Sequence, residues 1–201
     1  MARCLGTCIV LMCALLVAPA NSLAQTSREL FPNTNDLGRA VIEYEDDAIQ
    51  VVAAYNYSQR NHDSRWLLIE IGVATQEAMR IRNSDITLVT PDDRVIHVAS
   101  QRLFVQDYQR TRLIRRNAIP TRHLDGRIGN YFQGRPGQRF QWFVVTAFEG
   151  TVTEFFDVDF RRTAWGDLYF ASPTGAWEEG TYSLIVEGRD ETRAVLPIDL
   201  D

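Results

Sequence analysis

Short runs of alternating apolar and polar residues, separated by turn formers, recur from about residue 40 to the end of the chain. A period of two sends successive side chains to opposite faces, which predicts strands rather than helices. Ile49, Val51, Ala53, Tyr55 and Tyr57 share one face of a first long strand, and Trp66–Thr75 (WLLIEIGVAT) sets Leu67, Ile69, Ile71 and Val73 on a common face. Ile86–Thr90 and Arg94–Ala99 flank Pro91-Asp92-Asp93, a composition that favours a tight reversal and so predicts a hairpin. Phe140, Trp142, Val144 and Phe148 line one side of a segment whose other side carries Phe143, Val145 and Ala147. Apolar on both faces, it reads as a central strand or one that covers an interface. Val152, Phe156, Val158 and Phe160 give a half-buried neighbour, and Leu168–Ala171 is a short candidate. Thr181–Glu187 and Thr192–Leu200 close the chain around Gly188-Arg189-Asp190-Glu191. About nine strands in this style predict an all-β sandwich.

Within the last pair, Glu178-Glu179-Gly180-Thr181-Tyr182-Ser183-Leu184 places an acidic residue, a glycine and a tyrosine at the opening of a strand. The segment resembles the tyrosine corner of immunoglobulin-like sandwiches and is similar to hairpins that close bacterial extracellular immunoglobulin-like and fibronectin-like modules. The resemblance implies an immunoglobulin-like sandwich in which Gly180 and Tyr182 are structural. Tyr182 would turn its hydroxyl onto nearby backbone, and Leu184 would stand where antibody domains place a disulfide cysteine. It covers about a tenth of the chain after residue 24 and names no activity. The chain departs from a minimal domain of that kind in being longer than ~100 residues.

The extra length lies at 100–139. Gln101–Asn117 spaces Phe104, Tyr108, Leu113 and Ile114 as one face of an amphipathic helix, with Ser100 as its cap. Residues 118–139 then carry two prolines and four glycines, which predicts a long irregular loop. Loops of that length often bind something.

Residues 1–24 begin with Met1-Ala2-Arg3, run apolar from Ile9 to Ala18 and end in small residues, the layout of a secretory signal peptide. Cleavage after Ala24 uses Ser22-Leu23-Ala24, and Ala18-Pro19-Ala20 offers an earlier site. The apolar run falls short of the ~20 residues that span a bilayer. Export to the periplasm or extracellular space is the expectation, with residues 25–38 as a linker and 39–201 as a single sandwich domain.

Composition then narrows the chemistry. Cys4, Cys8 and Cys13 all leave with the signal, and every one of the 21 basic residues is arginine. A mature chain without cysteine or lysine has no thiol nucleophile, thiolate metal site, disulfide, lysine Schiff base or P-loop. Its formal charge is −6, distributed unevenly: residues 102–127 carry +5 and the remainder −11. Arg110, Arg112, Arg115, Arg116, Arg122 and Arg127 are therefore candidate anion-gripping residues, since guanidinium forks pair with carboxylate, phosphate or sulfate in bidentate fashion. The competing expectation is that they pair with the acidic strands of their own sandwich. Export and overall acidity argue against nucleic acid.

His62, His97 and His123 show no metal-ligand spacing, and no HExxH, GxSxG, GxGxxG or P-loop is present. Glu43, Glu45, Asp46 and Asp47, then Glu154, Asp157 and Asp159, form two acidic groups without an EF-hand pattern. No metal or cofactor is expected. The expected function is a non-catalytic binding or interaction module of the cell envelope, its arginine-rich insertion docking a protein partner or an anionic envelope component. One alternative is a carbohydrate-binding module using Trp165 and Trp177, which cluster with Tyr169 and Phe170 around Pro173-Thr174-Gly175. The other is a hydrolase built from scattered histidines and carboxylates.

Overall fold

The computed structural model describes residues 30–61, 65–145 and 151–200. Twelve strands among them form two facing sheets and a two-stranded ribbon. The six-stranded sheet has the order β1 (Thr34–Asp36), β2 (Val41–Glu45), β3 (Ile49–Ala54), β4 (Trp66–Thr75), β10 (Thr163–Ala171), β8 (Gly137–Arg139). The four-stranded sheet has the order β12 (Arg193–Leu200), β11 (Gly180–Glu187), β6 (Ile86–Val89), β7 (Val95–His97). β5 (Met79–Arg82) pairs with β9 (Phe155–Val158) in the ribbon. All pairings are antiparallel except that of β8 with β10.

This order is the immunoglobulin one. β3, β4, β10 and β8 stand in the places of strands A, B, E and D, and β12, β11, β6 and β7 in those of G, F, C and C′. The departures are β1 and β2, which extend the sheet beyond the A position, and β8, a three-residue strand that runs parallel to its neighbour. Leu67, Ile69, Ile71 and Val73 of β4 meet Leu184, Val186, Leu196 and Ile198 of the opposite sheet in one buried core. Burying each such side chain stabilises the fold by ~1.5–3 kcal/mol. The tyrosine corner forms as its sequence suggested. The Tyr182 hydroxyl donates to Glu178 O at 2.9 Å and accepts from Glu178 N at 3.2 Å. Gly180 sits at φ +142°, and a β-carbon there would lie 2.9 Å from Pro91 Cγ.

Several expectations need correcting. Thr34–Asp36, assigned to the linker, is an edge strand paired with β2. The first long strand stops at Ala54, and Asn56–Gln59 turns into a short helix, α1. There Ser58 Oγ accepts from Leu68 N and donates to Leu68 O, so a buried hydroxyl replaces a strand partner. No strand lies within 140–145. Gln101 instead brackets Val144, its Nε2 donating to Val144 O and its Oε1 accepting from Val144 N, and this side-chain amide takes the ladder position that another strand would fill. Phe148 and Ala147 fall outside the described residues.

The single helix expected over 101–117 is two, α2 (Gln101–Gln106) and α3 (Tyr108–Ala118), broken at Asp107. Ser100 caps α2 through Leu103 N. The Asp107 carboxylate is drawn away to accept from Trp66 Nε1 at 2.8 Å and to pair with Arg65 and Arg110. Phe104 and Ile114 are buried as expected, whereas Leu113 is 47% exposed. The later part of the insertion, with α4 (Ile128–Tyr131), is packed structure and not a free loop. Leu124 and Phe132 join Val41, Val52, Ala54, Ala74 and Trp165 in a second core on the outer face of the six-stranded sheet. That third layer explains why all ten residues of β4 are buried.

Candidate anion-binding face

The insertion is fastened through charge. Glu70 on β4 and Asp167 on β10 are directly opposite in register, both on the outer face. Arg122 descends between them, its Nη1 and Nη2 donating to the two Asp167 oxygens at 2.6 and 2.7 Å, with Glu70 Oε1 3.5 Å from Nη1. Glu70 Oε2 accepts from the backbone N–H groups of His123 and Leu124, both at 2.8 Å. Burial pushes the Glu70 carboxyl above its usual range, and this outweighs the lowering by the two backbone donors and Arg122. Hydrogen bonding to Asp167 raises the Arg122 guanidinium further above its ordinary value. Arg122, expected among the ligand-gripping arginines, is thus a structural clamp with its donors committed inward.

The neighbouring arginines differ. α3 buries Thr111, Ile114 and Ala118 and turns Arg110, Arg112 and Arg116 to solvent. Arg110 lies 3.7 Å from Asp107, and the Arg112 guanidinium stacks over the Tyr108 ring at 6.0 Å. Among the described residues no carboxylate stands within ion-pair distance of Arg112 or Arg116. Arg127 is exposed beside His123; burial first, then the charges of Arg127 and Arg39, hold the His123 imidazole below its usual value. His123 Nε2 makes a short hydrogen bond to the Tyr131 hydroxyl.

Where α3 approaches the outer edge of β10, a cleft of about 60 Å³ opens, lined by Arg115, Arg139, Phe140, Gln141, Trp142, Phe143, Asp167 and Tyr169. β8 pairs β10 only along Thr163–Trp165. Beyond that point residues 140–143 wrap the edge, with Phe140 N donating to Trp165 O and the Phe140 ring filling space that a β-carbon on Gly166 would occupy, 2.6 Å from Cε2. Arg139 donates to Asp167 Oδ2 at 3.3 Å and lies over the Trp165 ring. Sequence reasoning missed Arg139, Glu70 and Asp167, and placed Trp142 on a strand face and Tyr169 in the aromatic cluster around Pro173-Thr174-Gly175 without bringing the two together. A lone acid inside each of two apolar strands was the available sign.

The tryptophan reading fails on burial. Trp177 packs edge-on against Tyr182 and donates Nε1 to Arg65 O at 3.2 Å, and Trp165 is covered by Arg139 and the second core. Neither indole offers a face to a sugar ring. His97 is exposed on β7 and His123 lies on the far side of the other sheet, while His62 is outside the described residues. Most of the acidic groups have structural duties: Glu43 accepts from Gln50, Asp46 from the backbone of Ala48 and Ile49, Asp157 from Arg80 and Asp159 from Arg162. Among the described residues no cluster of three or more potential ligands could hold a metal ion, and no helix is long and apolar enough to cross a membrane.

No protein-family profile matches the chain, and no curated protein matches it. Two solved structures share some of its shape. One is the candidate lipoprotein ycdA of Bacillus subtilis, with a TM-score of 0.41 and 13% identity over 79% of this chain. The other is the yjhA protein of the same organism, with a TM-score of 0.35 and 9% identity over 84% of this chain and 98% of its own. The chain spans 38% of the length of ycdA. At these scores neither bears on function.

Proposed function

We propose that the chain is an exported, non-catalytic binding module of the cell envelope whose arginine-rich insertion docks an anionic partner. The observation that carries this reading is the division of labour among the arginines. Arg122 locks the insertion to the sandwich, and that fixed platform presents Arg110, Arg112 and Arg116 on the solvent face of α3. Rigid presentation lowers the ordering cost of binding, and guanidinium groups suit bidentate capture of carboxylate, phosphate or sulfate. Export rests on the layout of residues 1–24, which lie outside the described residues.

The test compares immobilised wild type with Arg110→Gln/Arg112→Gln/Arg116→Gln for retention of native envelope material, with far-UV circular dichroism confirming the fold. Retention lost in the variant and weakened by salt supports docking through this face. Equal retention by both proteins refutes it.

A further inference from the structure

Among the described residues, two buried side-chain polar atoms lack a hydrogen-bond partner, Trp142 Nε1 and the Tyr169 hydroxyl. Trp142 is 3% exposed and Tyr169 1%. Both line the same cleft at the edge of β10. Buried polar groups are nearly always paired, so two orphans in one small cavity point to something that enters it.

The other polar groups around them set the chemistry of the visitor. An indole N–H can only donate. Burial and the neighbouring Asp167 charge push the Tyr169 phenol well above its usual value, so it stays protonated and can donate as well. Arg139 adds a guanidinium donor to the lining. Among the described residues that line it, the one carboxylate, Asp167, already accepts from Arg122 on both oxygens and from Arg139 on Oδ2. Its acceptor capacity is therefore largely used, and the cleft holds an excess of donors.

The Tyr169 hydroxyl feels the charge of Asp167 first and, against it, those of Arg122, Arg115 and Arg139. Phe140 and Phe143 supply apolar walls, which strengthen electrostatic attraction by excluding water. The free volume, about 60 Å³, suits an oxyanion head group and not a sugar ring or a nucleotide base. Because the cleft is open on one side, the rest of a larger molecule could project outward.

We infer that this cleft binds an oxyanion, a carboxylate or phosphate group, held by the Trp142 indole N–H, the Tyr169 hydroxyl and the Arg139 guanidinium group. The inference rests on the binding reading above but not on the exposed arginines of α3, so each can fail alone. It places the specific contact inside the insertion's edge and leaves Arg110, Arg112 and Arg116 to attract the partner from a distance.

The test uses the full mature chain and the indole ¹H–¹⁵N signals of its four tryptophans, with Trp142→Phe identifying the relevant one. Sodium acetate and sodium phosphate are titrated separately at ionic strength held constant with sodium chloride. A saturable shift of the Trp142 signal with either anion, weakened on the order of tenfold in Tyr169→Phe or Arg139→Gln, supports the site. The acetate and phosphate arms show which oxyanion it prefers. Tyr169→Phe removes one oxygen and keeps the ring, so a folded comparison exists even if Arg139→Gln is destabilised. A Trp142 signal that does not saturate with either anion, or that responds with equal affinity in both variants, overturns the inference. Arg110→Gln/Arg112→Gln/Arg116→Gln should leave this titration unchanged, and a titration abolished in that variant would also overturn it.

Discussion

Replacing Arg122 with alanine tests whether the insertion is held by its buried clamp. The wild-type guanidinium is 13% exposed and satisfies both oxygens of Asp167, itself 12% exposed, while standing 3.5 Å from Glu70. Its removal leaves two carboxylates opposite each other on neighbouring strands, with Arg139, among the described residues, the one cation still pairing with Asp167. Stripping one partner from a buried ion pair costs ~3–5 kcal/mol, because the stranded charge remains desolvated. In a protein of this size, each kcal/mol lowers the thermal midpoint by about 2–4 °C. Urea denaturation should show a lower midpoint with an unchanged slope. The loss should shrink in acid. Glu70 is already raised by burial in the folded wild type, so the folded variant takes up its proton more readily than the unfolded chain, and stability recovers as pH falls through the folded value. Replacing the whole set, with Arg122→Met, Asp167→Leu and Glu70→Gln together, should bring stability back to within about 1 kcal/mol of wild type. A cost below about 1 kcal/mol for Arg122→Ala, or a triple variant as unstable as the single one, would refute the clamp.

Other outcomes follow from the same geometry. Tyr182→Phe removes both hydrogen bonds to the Glu178 backbone and should cost ~1–2 kcal/mol in urea denaturation without altering the fold. Gly180→Ala forces a β-carbon onto φ +142° and should cost ~1–3 kcal/mol in the same assay. The folded His123 imidazole binds protons less readily than its ordinary value near 6.5, so its contribution to stability is complete above that value and is lost as pH falls through it. The rise in thermal midpoint from pH 5.5 to 7.5 should therefore be smaller in His123→Asn than in wild type.

The strand pattern was legible where one face met the core. β6 and β12 alternate cleanly, β4 and β11 keep one apolar face in register although their other faces are also partly or wholly covered, and the Gly180–Tyr182 corner carries its own backbone signature. β10 was truncated in the sequence reading because Gly166 and Asp167 interrupt its apolar run, yet those two residues make room for Phe140 and anchor Arg122. The opposite error occurred at 140–145, where density of apolar residues suggested a strand that the Gln101 side chain replaces. Helix periodicity likewise could not foresee the break at Asp107, whose carboxylate is pulled toward Trp66 and Arg65 across the fold. Charge asymmetry pointed to the insertion but could not separate Arg122, which is consumed by Asp167 and Glu70, from Arg112 and Arg116, which are not. That separation depends on contacts 45 and 52 positions away in the chain.

A photo-crosslinking residue placed in turn at Leu113, 47% exposed on α3 between Arg112 and the cleft-lining Arg115, and at Val95, 57% exposed on the edge of the four-stranded sheet, tests the binding face most directly in intact cells. The account predicts a discrete adduct from Leu113 that disappears when Arg110, Arg112 and Arg116 are neutralised, and none from Val95. Adducts from Val95 with none from Leu113 would contradict it.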